Sequence, residues 1–142
     1  MEIRKAEFKD AEKLAEIFRN DLGEPDCTKE LVLKKMQLLD DCRECVLVAA
    51  DGDTVCGVIH AEIYNVLYFE PMCNILGLAV CASYRRMGVG KKLFLAAENW
   101  AKERNIKFMR INSGETRKEA HQFYRKMGCN KEKLQLRFLK EL

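Results

Sequence analysis

The sequence predicts a single mixed α/β domain spanning residues 1–142. Three features carry that reading. Strand-like and helical segments alternate along the chain, two β-rich runs meet at the turn Asp51-Gly52-Asp53, and the long apolar run Cys73 to Val80 leads into a glycine-bearing turn that opens an amphipathic helix. A chain of this length buries roughly two-thirds of the surface its unfolded form exposes, so one core is expected.

The elements follow in order. Glu2 to Ala6 is short and partly alternating, and Asp10 stands where it can cap a helix carrying Leu14, Ile17 and Phe18. That helix stops between Asn20 and Gly23. Pro25 marks a turn, and Thr28 caps a second helix with Leu31, Val32, Met36 and Leu39 at helical spacing, though Glu30 falls one position early for a full capping box. Cys45 to Ala50 and Thr54 to Ile63 form the two arms of a hairpin. After the connection from Asn65 to Pro71, Cys73 to Val80 reads as a strand buried on both faces. From Gly88 to Arg104, Val89, Leu93, Phe94, Ala97, Trp100 and Ala101 recur every three or four residues, the mark of a helix packed on a sheet. Ile106 to Ile111 is another short strand. Ser113 or Thr116 is placed to cap a helix with Ala120, Phe123, Tyr124 and Met127, closed by Gly128. Leu134 to Leu139 alternates as an outer strand does.

Composition removes several classes of function. The 25 Lys and Arg against 22 Asp and Glu leave a net charge of +3, with no basic run, which does not build a nucleic-acid surface. No apolar stretch approaches the roughly 20 residues needed to cross a bilayer, and Met1 to Lys5 does not lead into a signal-peptide core, so a cytoplasmic protein without membrane contact is expected. The seven cysteines are odd in number, and Cys56, Cys73 and Cys81 sit in apolar runs, as small buried hydrophobes do in a reducing compartment. Cys42-Arg-Glu-Cys45 has the spacing of half a zinc site, but no second pair follows, and no metal is expected.

The chemistry concentrates in Leu76 to Leu93. Glycines two apart at a helix start leave backbone N–H groups unobstructed, and the first turn of a helix has donors without intrahelical partners. The helix dipole adds partial positive charge there, beside Arg85 and Arg86. Such a turn suits a pyrophosphate. The run is neither a dinucleotide fingerprint, which needs Gly-x-Gly-x-x-Gly, nor a P-loop, because Gly90-Lys91-Lys92 lacks the hydroxyl residue. On the loop alone, close helix-to-strand packing explains the glycines equally well.

The segment Leu78 to Leu93 resembles the cofactor motif of the GCN5-related N-acetyltransferase (GNAT) superfamily, Val-x-Pro-x-x-Arg/Gln-x-x-Gly-x-Gly/Ala. Val80, Arg85, Gly88 and Gly90 match it, and Ala82 replaces the usual Pro. Ser113-Gly114 and Arg117 to Gly128 resemble the family's second hallmark helix. The resemblance is close in the second half of the chain and rests on element order in the first. It implies a mixed, mostly antiparallel sheet of about six or seven strands flanked by about four helices. In such a fold the sheet splays between Cys73–Val80 and Lys107–Ile111, and acetyl-coenzyme A lies in the gap. The pantetheine arm would then pair with the backbone of Leu78, Ala79 and Val80. The pyrophosphate would meet the turn from Arg85 through Arg86, Met87, Gly88, Val89 and Gly90 to Lys91.

By the same resemblance Tyr124 occupies the position from which family members offer a phenol to the departing coenzyme A thiolate. A tyrosine hydroxyl, with an ordinary pKa of about 10, stays protonated at neutral pH. Taken without the loop, Phe123 and Tyr124 are simply core aromatics. An amine attacks a thioester only when neutral, so a base is expected. Glu62, on the strand Thr54 to Ile63, is the first candidate, and His60 shares its face. Both also suit an exposed polar strand face, and His121, three residues before Tyr124, suits a helix surface. The acceptor, a small-molecule or peptide amine, is expected near Asn20 to Thr28 and Tyr64 to Pro71, where Asp21, Glu24, Asp26, Glu62 and Glu70 would favour a cation. The expected activity is direct acetyl transfer by an acetyl-CoA-dependent N-acetyltransferase, with room for a homodimer. The competing reading is a non-catalytic coenzyme A-binding sensor or scaffold.

Overall fold

The computed structural model describes all 142 residues and divides into two compact units, Met1–Ile111 and Asn112–Leu142. The first holds the sheet. Its strands are β1 (Glu2–Lys5), β2 (Glu44–Asp51), β3 (Thr54–Tyr64), β4 (Met72–Val80) and β5 (Met109–Ile111), in the spatial order of the chain. The first four form an antiparallel meander, and β5 joins β4 in parallel. A parallel neighbour needs a crossover, which the helix α3 (Val89–Lys102) supplies.

The helices divide between the two faces. On one, α1 (Ala11–Asp21) and α2 (Lys29–Gln37) bury Leu14, Ile17 and Val32 against Val46, Val48, Val58 and Ala79. On the other, α3 packs Val89, Leu93, Ala97 and Ala101 on Cys45, Ile59, Ala61, Cys73 and Ile75. The alternation of side chains along a strand is what feeds both cores from one sheet. No helix is long and apolar enough to cross a membrane.

Thr28 caps α2 as expected, its Oγ1 accepting from the Leu31 N–H at 3.1 Å. Asp10 has another role. It precedes α1 but gives that helix no side-chain cap. Instead it accepts from the Glu7 N–H at 2.8 Å and takes both arms of the Arg4 guanidinium at 2.8 and 2.9 Å. It is 5% exposed. The Arg4 hydrogen bond, outweighing burial and helped by the Glu7 amide, holds its carboxyl below the ordinary 3.8. Asp10→Ala takes from the part-buried Arg4 guanidinium its two-armed partner, leaving it the Lys5 carbonyl and a longer contact with Glu7, and is expected to cost about 2 kcal/mol in urea unfolding at pH 7. Because the folded value is lowered, this contribution is complete above about 3.8 and disappears as the pH falls through the folded value, so the wild-type and mutant stabilities should converge in acid.

Gly57 on β3 lets α3 approach the sheet. A Cβ there would lie 3.0 Å from Leu93 Cδ1, 3.1 Å from Val89 Cγ1 and 3.3 Å from the Ala79 carbonyl oxygen. Gly57→Ala is therefore expected to destabilise by about 1–3 kcal/mol in denaturant titration, since the packed Leu93 and Val89 side chains and the Ala79 carbonyl must give way. A variant as stable as wild type would show that α3 yields freely.

The mixed sheet flanked by helices is the expected fold class, with five strands where about six or seven were expected. The strand expected at Leu134 to Leu139 does not form: residues 129–142 have no regular structure, and Leu134, Leu136, Phe138 and Leu139 are each more than four-fifths exposed. Alternation favours a strand only where a neighbouring strand takes its backbone groups, and this segment has none. The strand expected from Ile106 is shorter and begins at Met109.

In the second unit, α4 (Lys118–Lys126) follows Arg117, not Ser113 or Thr116, and has no side-chain cap. Gly128 closes it with φ of 97°, as expected of a helix C-terminus, and the Cys129 N–H donates to the Tyr124 carbonyl at 3.0 Å.

Candidate functional site

The middle of β4 departs from regular pairing. His60 of β3 faces Gly77 and Ala61 faces Ile75, so Leu76 is an extra residue, a bulge, and it stands 47% exposed. On the other side β5 pairs with Cys73, Asn74 and Ile75 only. Beyond the bulge, Gly77 to Val80 keeps β3 on one side and has no strand on the side of β5. The edge that opens there includes Leu78, Ala79 and Val80. Strand N–H and C=O groups left unpaired in a gap between diverging strands suit an extended amide-bearing ligand, although the Val80 carbonyl is already taken by Arg85.

Continuing from that edge, a short 3-10 turn at Ala82–Tyr84 leads to Arg85 and into α3. Arg86 and Gly88 have positive φ of 62° and 80°. Gly88 is the N-cap of α3, no side chain caps the helix, and a Cβ on Gly88 would meet nothing within 4 Å. The first turn, Val89 to Lys91, thus presents N–H groups that no intrahelical carbonyl reaches, and the Gly88 carbonyl is taken up only by the Lys92 N–H at 3.0 Å. Together with the charges of Arg86 and Lys91, this turn fits a pyrophosphate.

Arg85 is engaged within the protein. Its Nε donates to the Val80 carbonyl at 3.2 Å and its guanidinium to Asp21 at 2.9 Å. It ties the turn to β4 and to the end of α1. Asp21, expected among the acids around the acceptor, is spent on this pair, and its side chain is 10% exposed.

Beside the bulge, on the face of α1 and α2, lies a cavity of about 350 Å³. Phe18, Leu22, Leu31 and Leu76 give it apolar walls, Gly77 forms part of its floor, and Glu24, Asp26 and His60 bring polar groups. Two of the expected acids therefore line it. Glu70 does not; it belongs to the Asn65–Pro71 connection, whose Phe69 packs edge-on against Phe108 with ring centroids 5.4 Å apart.

Glu62 sits in a row that runs straight across four strands: Glu44, Glu62, Asn74 and Arg110 are register partners in turn. The Asn74 amide donates to Glu62 Oε1 at 3.2 Å, and Arg110 donates to Asn74 Oδ1 at 2.9 Å while lying 4.4 Å above the Tyr64 ring. Two residues before Glu62 on β3, His60 Nε2 lies 3.0 Å from Glu44 Oε1. Asn74, Arg110 and Glu44 were not foreseen. The only sequence signal was the lone amide of Asn74 inside an apolar run.

In the second unit, Tyr124 is half-buried, its ring edge-on to Phe123 at 5.3 Å between centroids. Burial pushes its hydroxyl up to about 12, with Arg117 opposing and Cys129 adding slightly. His121 Nε2 lies 2.8 Å from the Gly114 carbonyl oxygen, which anchors the start of α4. All seven cysteines are free thiols. Burial raises Cys45 to about 11 and Cys73 to about 12, which suits packing and not nucleophilic attack.

The sequence model of the Acetyltransferase (GNAT) family matches residues 11–129. No curated protein matches the chain in sequence. Solved structures of similar fold include a transcriptional regulator from Bacillus halodurans, 24% identical over 96% of this chain and 99% of that one, with a TM-score of 0.82. An aminoglycoside 6'-N-acetyltransferase from Acinetobacter haemolyticus is 22% identical over 100% of this chain and 99% of that one, also at 0.82. A further aminoglycoside N-acetyltransferase, solved in complex with CoA, is 17% identical over 99% and 95% of the two chains, at 0.84.

Proposed function

Since the chain belongs to the GNAT acetyltransferase family, we propose that it transfers acetyl from acetyl-CoA to a primary amine of a small cationic molecule or peptide by direct attack. The observation that supports this most is the adjacency of two features in one unit. The opened edge of β4 and the uncapped start of α3 suit coenzyme A, and the bulge residues Leu76 and Gly77 at the end of that edge also line the cavity that carries Glu24 and Asp26.

Each part has a task. Backbone groups of Leu78, Ala79 and Val80 align the pantetheine arm, and the N–H groups from Arg86 to Lys91 bind the pyrophosphate, with Arg85 holding the turn in place. The acids of the cavity draw in an ammonium group. Once that group has lost a proton, its nitrogen attacks the acetyl carbonyl, the C–N bond forms and the C–S bond breaks. An ammonium and acetyl-CoA thereby become an amide, coenzyme A thiol and one released proton. Tyr124 supplies the thiolate's proton, and its hydroxyl, held up at about 12, is protonated throughout the neutral range. Glu62 and His60 are the two candidate bases on β3 for the proton leaving the amine.

Aminoglycosides are the acceptors named for several proteins of the same fold, one of them solved with sisomicin. The acids of the cavity favour that class of polycation. Thiol release from acetyl-CoA should be measured with sisomicin, with spermidine and with a neutral amino sugar amide. Release confined to the cationic amines supports the reading, and binding of acetyl-CoA without thiol release on any amine overturns it.

A further inference from the structure

Resting on that reading, we propose that His60 and Glu44 form a base dyad for the acceptor amine: His60 takes the ammonium proton, Glu44 is its positioning residue, and Glu62 stays a fixed charge. Three observations carry this. His60 lines the cavity at the bulge, in company with Leu76 and Gly77, where the opened edge of β4 ends. Its Nε2 is 3.0 Å from Glu44 Oε1, and both side chains are about one-quarter exposed, so the pair is shielded yet reachable. Glu62, by contrast, already accepts from Asn74, which Arg110 fixes in turn, and it is not among the cavity's lining residues.

The carboxylate decides the chemistry of the ring. A carboxylate only accepts, so Nε2 must carry a hydrogen, and in the neutral ring, the form that can act as a base, Nδ1 keeps its lone pair. The same partner then steadies the imidazolium that forms, as an orienting carboxylate does in a catalytic triad. The step balances: the ammonium N–H bond breaks, an Nδ1–H bond forms, and the imidazolium later returns that proton to solvent. The charged or titratable groups around His60 are Glu44 of β2, its hydrogen-bond partner, Glu24, Asp26 and Cys27, which line the same cavity from the connection between α1 and α2, and Glu62, two residues along its own strand.

Two measurements on the full chain separate this proposal from the reading it rests on. The protein has two histidines, so nitrogen-15 spectra of the ring nitrogens, with His121→Gln for assignment, read the tautomer of His60 directly. An Nε2–H, Nδ1-acceptor form that is lost in Glu44→Leu, which keeps no acceptor, is expected, and a neutral Nδ1–H form overturns the dyad whether or not the protein is active. In thiol-release assays with sisomicin and spermidine, His60→Gln should lower kcat/KM about 100-fold at neutral pH with acetyl-CoA affinity unchanged. The loss should shrink steadily in alkali, where the amine deprotonates by itself. Glu44→Gln should give a smaller loss with the same recovery, and Glu44→Asp should restore part of it. A loss equal at every pH, or a larger pH-dependent loss in Glu62→Gln than in His60→Gln, overturns the proposal. Absence of turnover by the wild-type protein with any amine overturns the acetyltransferase reading instead, while the tautomer still decides the dyad.

Discussion

Gly88→Asp is expected to weaken acetyl-CoA binding about 100-fold, a loss of about 2.7 kcal/mol. Gly88 has φ of 80°, where an ordinary side chain costs about 1–2 kcal/mol, and the residue caps α3 at the point where the N–H groups of the first turn emerge. A carboxylate placed there also opposes the phosphates directly and accepts the very donors they would use. The space around the position is open, so steric damage to the core is not the cause of the loss. Gly88→Asn separates the contributions. Asparagine tolerates the left-handed region and carries no charge, and it should retain most of the affinity. Calorimetric titration of both variants, with thermal midpoints as the folding control, reads the difference. An unchanged affinity in a folded Gly88→Asp protein removes the turn from the cofactor site.

Tyr124→Phe is expected to lower kcat about 100-fold while leaving the affinity for acetyl-CoA as it was. In the proposed role the phenol's proton is needed only as sulfur gains charge, so its loss would act on turnover and not on ground-state binding. The pH dependence follows from the same group. Burial keeps the hydroxyl protonated until about pH 12, so this donor is present across the neutral range and is lost only as the pH rises through that value. Wild-type turnover should therefore show no decline assignable to Tyr124 below strongly alkaline pH. Equal kcat values for the two proteins, with single-turnover kinetics showing that chemistry limits the rate, would assign Tyr124 a packing role, such as its contact with Phe123, in place of proton donation.

Much of the first unit was legible because its signals are local. The Asp51-Gly52 hairpin, the Thr28 cap and the period of α3 depend on residues within a few positions of one another, and the structure has them in place. The strand, turn and helix around Gly88 were legible for the same reason. The features that were missed are non-local. The extra residue at Leu76 exists only in relation to β3, and the row of Glu44, Glu62, Asn74 and Arg110 depends on the register of four strands. Arg85 could be matched to a motif, but its partner Asp21 lies 64 residues away, beyond any spacing rule. Asp10 carried a correct cap-like signal and answers Glu7 and Arg4 instead of the helix it precedes. The tail at Leu134 to Leu139 shows the converse failure, a local strand pattern with no neighbour to pair with.

The candidate site divides along the same line. The turn at Gly88, proposed to meet phosphate, is a property of one contiguous segment and could be read from it, whereas the cavity proposed for the acceptor is assembled from the end of α1, the connection to α2 and the middle of β3 and β4. Residue types alone placed five acids there. Geometry separates them: Glu24 and Asp26 line the cavity, Asp21 holds Arg85, Glu62 accepts from Asn74, and Glu70 lies elsewhere.

The seat of the cofactor is tested most directly by following backbone amide resonances of the nitrogen-15-labelled protein during titration with coenzyme A. The largest shifts are expected at Arg86 to Lys91 and along Leu78 to Val80, with little change at β1 or in the outer turns of α2. If the ligand binds while those amides stay unmoved and another surface responds, the coenzyme does not lie between the opened edge of β4 and the start of α3.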